Sequence, residues 1–221
     1  NAAGVSRNRY QQFDIDTQGA ILNNARTHVQ TQLGGYIAGN PHLARGEASV
    51  ILNEINSPQG SQLRGFVEVA GKNAHVIISN PSGITCDGCG FINADRATLT
   101  TGQINLGNSG NIDSYRVTRG SVNILGQGLN NKQNNYTDIL ARAIHINAGI
   151  WANKLSAIAG ANQIASVQPP SHPDHLAQPV AIAADPNESK PVFAIDIGLL
   201  GNMYAGLGRL IGTEDGLGVR N

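Results

Sequence analysis

The stretch Ile77-Ile-Ser-Asn-Pro-Ser-Gly-Ile-Thr-Cys-Asp-Gly-Cys-Gly-Phe-Ile-Asn93 joins two short apolar runs through turn chemistry and holds both cysteines of the chain. Asn80 precedes a proline with fixed φ, which keeps it extended, and Ser82-Gly83 supplies the bend. The chain should return at once to strand in Gly83-Ile-Thr85. A shorter version of the same signal, Asn40-Pro-His-Leu43, lies upstream. Two such corners point to a strand-turn-strand architecture.

The same grammar extends in both directions. Upstream, Phe13-Asp-Ile-Asp16 alternates, Gln18-Gly19 turns, and Ala20-Ile-Leu22 resumes; Ala48-Ser-Val-Ile-Leu-Asn-Glu-Ile55 and Phe66-Val-Glu-Val69 read as strands. Residues 25–47 are less regular, broken by Gly34-Gly35, Gly39 and the Asn40-Pro41 corner. Downstream come Ala97-Thr-Leu-Thr100, Tyr115-Arg-Val-Thr118, Ser121-Val-Asn-Ile-Leu125, Ala143-Ile-His-Ile-Asn147 and Leu155-Ser-Ala-Ile-Ala159. Strand-turn units recurring every ~20 residues, each too small to bury its own face, mark a solenoid whose stacked coils share one core. The fold class read from this pattern is all-β.

Two segments depart from the grammar. Tyr136-Thr-Asp-Ile-Leu-Ala-Arg-Ala143 has a cap candidate at Thr137 or Asp138 followed by helix formers, which predicts a helical turn at a coil corner. Residues 167–192 hold six of the nine prolines and read as an extended surface excursion or poorly ordered loop. Val192-Phe-Ala-Ile-Asp-Ile197 and Gly208-Arg-Leu-Ile-Gly212 then restore strand, with a turn at Gly216.

Composition narrows the function classes. Fifteen basic and fifteen acidic residues cancel, and only 14% of the chain is charged, so it lacks the footprint that nucleic acid or an anionic membrane selects. Glycine reaches 27 residues and aromatics only 5%, which favours turns and small inward side chains over a core of large ones. No apolar run approaches the ~20 residues of a membrane helix, and Asn1 opens no leader pattern, so the chain is read as soluble, with any signal peptide already removed or not included.

Several stretches resemble the secretion domain at the N-terminus of two-partner secretion exoproteins, the group of filamentous haemagglutinins, haemolysins and contact-dependent growth-inhibition proteins. They are Arg9-Tyr-Gln-Gln-Phe-Asp14, Asn40-Pro-His-Leu43, Ala48-Ser-Val-Ile-Leu-Asn53, Asn80 to Asn93, and Gly198 to Val219 with its Met203-Tyr204 and Gly212-Thr-Glu214. The cysteine pair points to the haemolysin and growth-inhibition branch. The resemblance implies a right-handed parallel β-helix with an N-terminal cap and extra-helical β elements, forming one domain over 1–221. It also implies recognition by a cognate outer-membrane transporter, through that partner's periplasmic POTRA domains and pore, and display at the surface of a Gram-negative cell or release from it. His42 and Ser82 stand where the family more often has Asn. The chain begins where a family member would already have several tens of residues, which implies a shortened cap.

Candidate recognition residues are Asn40, Pro41, His42 and Leu43 at the first corner, and Asn80 and Pro81 at the second. At Asn80 side-chain capping of the turn is a sufficient explanation; at Asn40, with less regular flanks, presentation to the transporter is favoured. Cys86 and Cys89 have four readings. A redox motif wants a helix N-terminus, a zinc site wants two further ligands, a structural disulfide wants only a tight loop in an oxidising compartment, and free buried thiols remain the alternative. The disulfide is favoured. His172 and His175 read as solvated loop residues, no metal or cofactor is expected, and Asp14, Asp16, Asp95, Asp113 and Asp138 suggest no acid-base pair. The expectation is a monomeric, non-catalytic secretion and fold-nucleating domain. The competing class is a β-helical adhesin module gripping a receptor or glycan.

Overall fold

The computed structural model describes residues 1–220; residue 221, the last of the expected 1–221 domain, lies outside the described residues. No helix occurs among the described residues, and the strands coil into a parallel β-helix with three faces. The first face stacks Val5–Tyr10, Val50–Ile55, Ala74–Ser79 and Ala94–Thr100, followed by the C-terminal parts of Leu129–Ala141, Gly149–Ala159 and Asn202–Gly212. The second face stacks Ala20–Asn24, Phe66–Gly71 and Cys89–Ile92 on the N-terminal parts of those three long strands. The third stacks Ser61–Leu63, Ile84–Cys86, Ser121–Ile124, Ala143–Ile146, Ile195–Ile197 and Val219–Arg220. The opening stretch therefore runs through all three faces of one coil. Ile77 lies on the first, Ile84 on the third and Phe91 on the second.

Register turns this stacking into columns. On the first face Ile78, Leu99, Ile139 and Ala157 lie one above another, and on the third Leu63, Cys86, Ile124, Ile146 and Ile197 do the same. All of these are buried and belong to one continuous interior cluster. On the third face the alternate positions are polar (Gln62, Thr85, Asn123, His145, Asp196), so slipping a strand by one residue would turn its apolar column outward and the pattern pins the register.

The first face is buried on its outer side as well. Its outward residues Val50, Leu52, Ile77, Leu140 and Ile158 form a second apolar cluster with Ile104, Ile112, Tyr115, Val117, Ile164 and Leu176. Those partners come from an antiparallel sheet of Gln103–Leu106, Ile112–Val117, Asn162–Ala165 and Val180–Ala181, together with the segment that follows Asn162–Ala165. This explains why Val50-Ile-Leu52 and Val76-Ile-Ile78 are continuous apolar runs rather than alternating ones. A separate hairpin, Val29–Thr31 with Gly35–Ile37, occupies the irregular 25–47 region.

Two expectations are corrected. Tyr136 to Ala141 is strand, not a helical turn: its residues pair with Arg96 to Thr100 on one side and Lys154 to Ala159 on the other. A helical turn would leave both ladders unpaired, and that cost outweighs the local preference for helix. Residues 167–192 do run over the surface, mostly exposed, but they are tied down rather than a poorly ordered loop. Val180–Ala181 pairs with Asn162–Ala165, and His175 and Leu176 are buried.

Corners are held by asparagine amides. Buried Asn24 donates to the carbonyls of Ala48 and Lys72 at 2.9 and 2.8 Å and accepts from the Ala48 amide at 2.8 Å. Asn93, the only described non-glycine residue with positive φ (57°), donates to Val69 and Gly71 of the preceding coil. Replacing Asn24 by Ala strands two buried backbone groups of Ala48 and the half-buried Lys72 carbonyl, and is expected to cost about 2–4 kcal/mol in urea unfolding. A loss below about 0.5 kcal/mol would show that water takes over the amide's role.

Candidate functional site

The two Asn-Pro corners are built alike but placed differently. Asn40 follows the hairpin outside the coil, on the connection between the second and first faces. Its side-chain amide donates to the Asn23 carbonyl at 3.0 Å, while Oδ1 accepts from the His42 amide at 2.9 Å. The same Asx geometry recurs at Asn80, where Oδ1 accepts from Ser82 N at 3.0 Å and the amide donates to Gln59 O and Ser61 Oγ, both at 3.0 Å. Exposure separates the two. Asn80 is fully buried and Pro81 half-buried, whereas Pro41 and His42 are exposed and Asn40 and Leu43 half-buried. Leu43 borders a cleft with Asn8, Tyr10, Leu22 and Ile51. Asn80 has no side-chain surface to offer a folded partner, while the Asn40 corner has.

Cys86 and Cys89 form a disulfide with Cα atoms 5.3 Å apart. Both are buried, and the bridge crosses from the third face to the second, inside the coil. Between them, Asp87 points to the next coil and accepts from the Gln127 amide at 2.9 Å.

The histidine pair does not converge. His172 is exposed and its Nδ1 accepts from the Asp174 amide at 3.1 Å, but His175 is buried, against the expectation of a solvated residue. It packs edge-on against His75 with ring centroids 5.5 Å apart. His75 lies beside a buried ion pair in which Arg96 Nη1 reaches both oxygens of Asp138 at 2.9 Å. Thr98 Oγ1 donates to Asp138 at 3.0 Å and lies 2.8 Å from His75 Nε2. Arg96 also donates to the carbonyls of Pro170 and His172 at 2.8 Å. Burial lowers both imidazoles from the ordinary value of 6.5, His75 well below it, with Arg96 adding to the effect. Asp138, expected to be an unremarkable acid, is the counter-charge of this network.

Two other charged groups escaped sequence reading. Glu68, buried on an otherwise apolar strand, accepts from the Gln32 and Leu33 amides and moors the hairpin. Arg142 clamps Glu214 at 3.0 Å and Glu188 at 3.3 Å, joining the final turn to the excursion and holding the Glu214 carboxyl below its usual range. A lone Glu between Val67 and Val69 was the only sequence signal for the first.

The described residues form a coil-stacked scaffold with an exposed corner and a local disulfide. A family model described as the TPS secretion domain matches residues 1–221. The chain belongs to the TPS secretion domain family. It is similar to a crystal structure of the filamentous hemagglutinin secretion domain, with TM-score 0.88 and 33% identity over 99% of this chain and 72% of that one. It is 53% identical to "Toxin CdiA" of Yersinia pestis, over 100% of this chain and 6% of that protein. It is 42% identical to "tRNA nuclease CdiA-2" of Burkholderia pseudomallei, over 100% of this chain and 7% of that protein. The TPS domain thus spans a small part of these relatives, and the toxin names describe whole proteins rather than the matched region.

The disulfide closes a four-residue loop, so its removal in a Cys86→Ala, Cys89→Ala variant of the TPS domain is expected to cost about 2 kcal/mol in the loop-closure estimate. Denaturant unfolding checks this; collapse of the fold would give the bridge a far larger role than a local staple.

Proposed function

We propose that this TPS domain is the export signal and folding nucleus of a longer exoprotein. Its cognate outer-membrane transporter recognises it through periplasmic POTRA domains and passes it through the pore to the surface of a Gram-negative cell. The observation that carries the reading is the contrast between the corners: Asn80 is consumed inside the coil, whereas Asn40-Pro41-His42-Leu43 projects beside the hairpin with Pro41 and His42 exposed. The domain acts as a monomer and does no chemistry. Toxic activity of the kind named for the CdiA relatives belongs to sequence other than this domain.

The physics of export follows from coil stacking. A coil buries its interior side chains only against a neighbour, so structure grows by addition to coils already formed. Once the first coils fold outside, each added coil is drawn onto the last without nucleotide hydrolysis.

Asn40→Ala is expected to abolish secretion while leaving the stability of the purified domain within ~1 kcal/mol of wild type, because the exposed Asx turn and the half-buried bond to the Asn23 carbonyl are lost where water can replace them. Asn80→Ala should lower stability and secretion together. Equal secretion by wild type and Asn40→Ala would remove the corner from recognition. In the directional model Ile51→Asp stalls export more than Ile195→Asp, although both side chains are buried in the interior cluster; equal stalling, measured by secreted protein per cell, would count against it.

One observation favours the adhesin reading. Trp151 and the exposed Tyr204 stack with centroids 5.7 Å apart and planes at 9°, and Lys132 lies 5.7 Å from the Trp151 ring. Stacked aromatics beside a cation suit a sugar ring. Binding on a glycan array that is lost in Trp151→Ala, without copurification of POTRA domains, would support this second reading over the first.

A further inference from the structure

The buried polar network behind the 167–192 excursion has no part in the export reading. It lies where the excursion crosses the outer side of the first face, and it is asymmetric in charge. From Ala94–Thr100 come Arg96 and Thr98, from Leu129–Ala141 Asp138, from Ile112–Val117 Tyr115, from Ala74–Ser79 His75, and from the excursion His175. Asp174 and Arg209 line the adjoining cleft with Arg96 and Asp138, and Asp113 faces solvent. The cluster itself holds one acid, and Asp138 is already engaged by Arg96 and Thr98.

The excursion is held to this cluster by polar contacts. Arg96 grips the carbonyls of Pro170 and His172. His175 bonds through Nδ1 to the Gln168 carbonyl and through Nε2 to Ser166 Oγ at 3.2 Å, and its ring packs on His75. His75 Nδ1 is buried without a partner. A proton there would have no acceptor and no spare carboxylate, and the resulting imidazolium would face Arg96 and His175.

We infer that residues 166–177 form a strap over the first face, closed while His75 and His175 are neutral and released when acid charges them against Arg96. The sign follows from burial. Both imidazoles bind protons less readily when strapped than at the ordinary value of 6.5. Closure is therefore fully stable above pH 6.5 and weakens as pH falls below it. Release would uncover Val5, Val50 and the other apolar side chains lining the cleft beneath Val167 and Pro170. The strap is thus an acid-opened cover over an apolar strip of the β-helix, a different event from unfolding of the coils.

Amide hydrogen exchange of the intact domain, normalised to intrinsic rates and followed from pH 7.5 to 5 (roughly the range in which histidine charges), tests this. The reporters are Val167, bonded to the His175 carbonyl, and Ala177, bonded to the Ala165 carbonyl; Ile139 and Leu140 are the core reference. Val167 and Ala177 are expected to speed up towards about a hundredfold per pH unit below 6.5, about tenfold for each of the two histidines, while the reference amides hold steady. The slope should be shallower in His175→Gln and absent when His75→Gln is added. If the double variant does not fold, the single variant's shallower slope alone decides. A flat wild-type profile, an unchanged slope in His175→Gln, or core amides accelerating in step with the strap would overturn the proposal.

Discussion

Everything in this fold depends on one constraint: no coil can satisfy its backbone or cover its apolar side chains by itself. Each strand of a face is paired in parallel with the coils before and after it, and each inward side chain completes a column that its neighbours continue. Small residues share these columns with large ones, as Ala157 does with Ile78, Leu99 and Ile139, and Ala97, Ala141, Ala157 and Ala159 are all buried in the interior cluster. Sparse aromatics are then a consequence of the architecture rather than a sign of a weak core.

Corners are the second consequence of coil stacking. A chain that bends three times per coil exposes carbonyls that no ladder serves, and Asn24, Asn80 and Asn93 serve them from within, each reaching across to a neighbouring coil or connection. The Cys86–Cys89 bridge belongs to the same class of device. It ties one corner locally and links no two coils. Against this background the Asn40 corner stands out. It has the same turn chemistry, but it sits outside the coil with its proline and histidine in solvent.

Much of this was legible in sequence because the signals were local. Ile77 to Asn93 encodes its own bend and its return to strand, and the structure realises both; Cys86 and Cys89, for which the sequence left four readings open, form a disulfide. What sequence reading missed was non-local. Tyr136 to Ala143 carries cap and helix-forming residues, and only the two flanking ladders reveal it as strand. His175 sits among prolines with nothing nearby to signal burial, yet it packs on a histidine a hundred positions earlier in the chain. Arg96 and Asp138 likewise meet through adjacent coils, and no spacing rule links them.

The outer antiparallel sheet changes what stacking alone would give. A bare solenoid couples each coil only to its neighbours, whereas Ile104, Ile112, Tyr115 and Val117 join a cluster spanning Leu52, Ile77, Leu140 and Ile158. The central coils should therefore open as one unit. Native-state hydrogen exchange in a urea series measures this directly, strand by strand. The amides of Val50–Ile55, Ala74–Ser79 and the paired parts of Leu129–Ala141 and Gly149–Ala159 should merge on a single opening free energy, with Asn202–Gly212, the half-exposed last strand of the first face, below it. A steady gradient of free energy from one end of these four strands to the other would contradict the account.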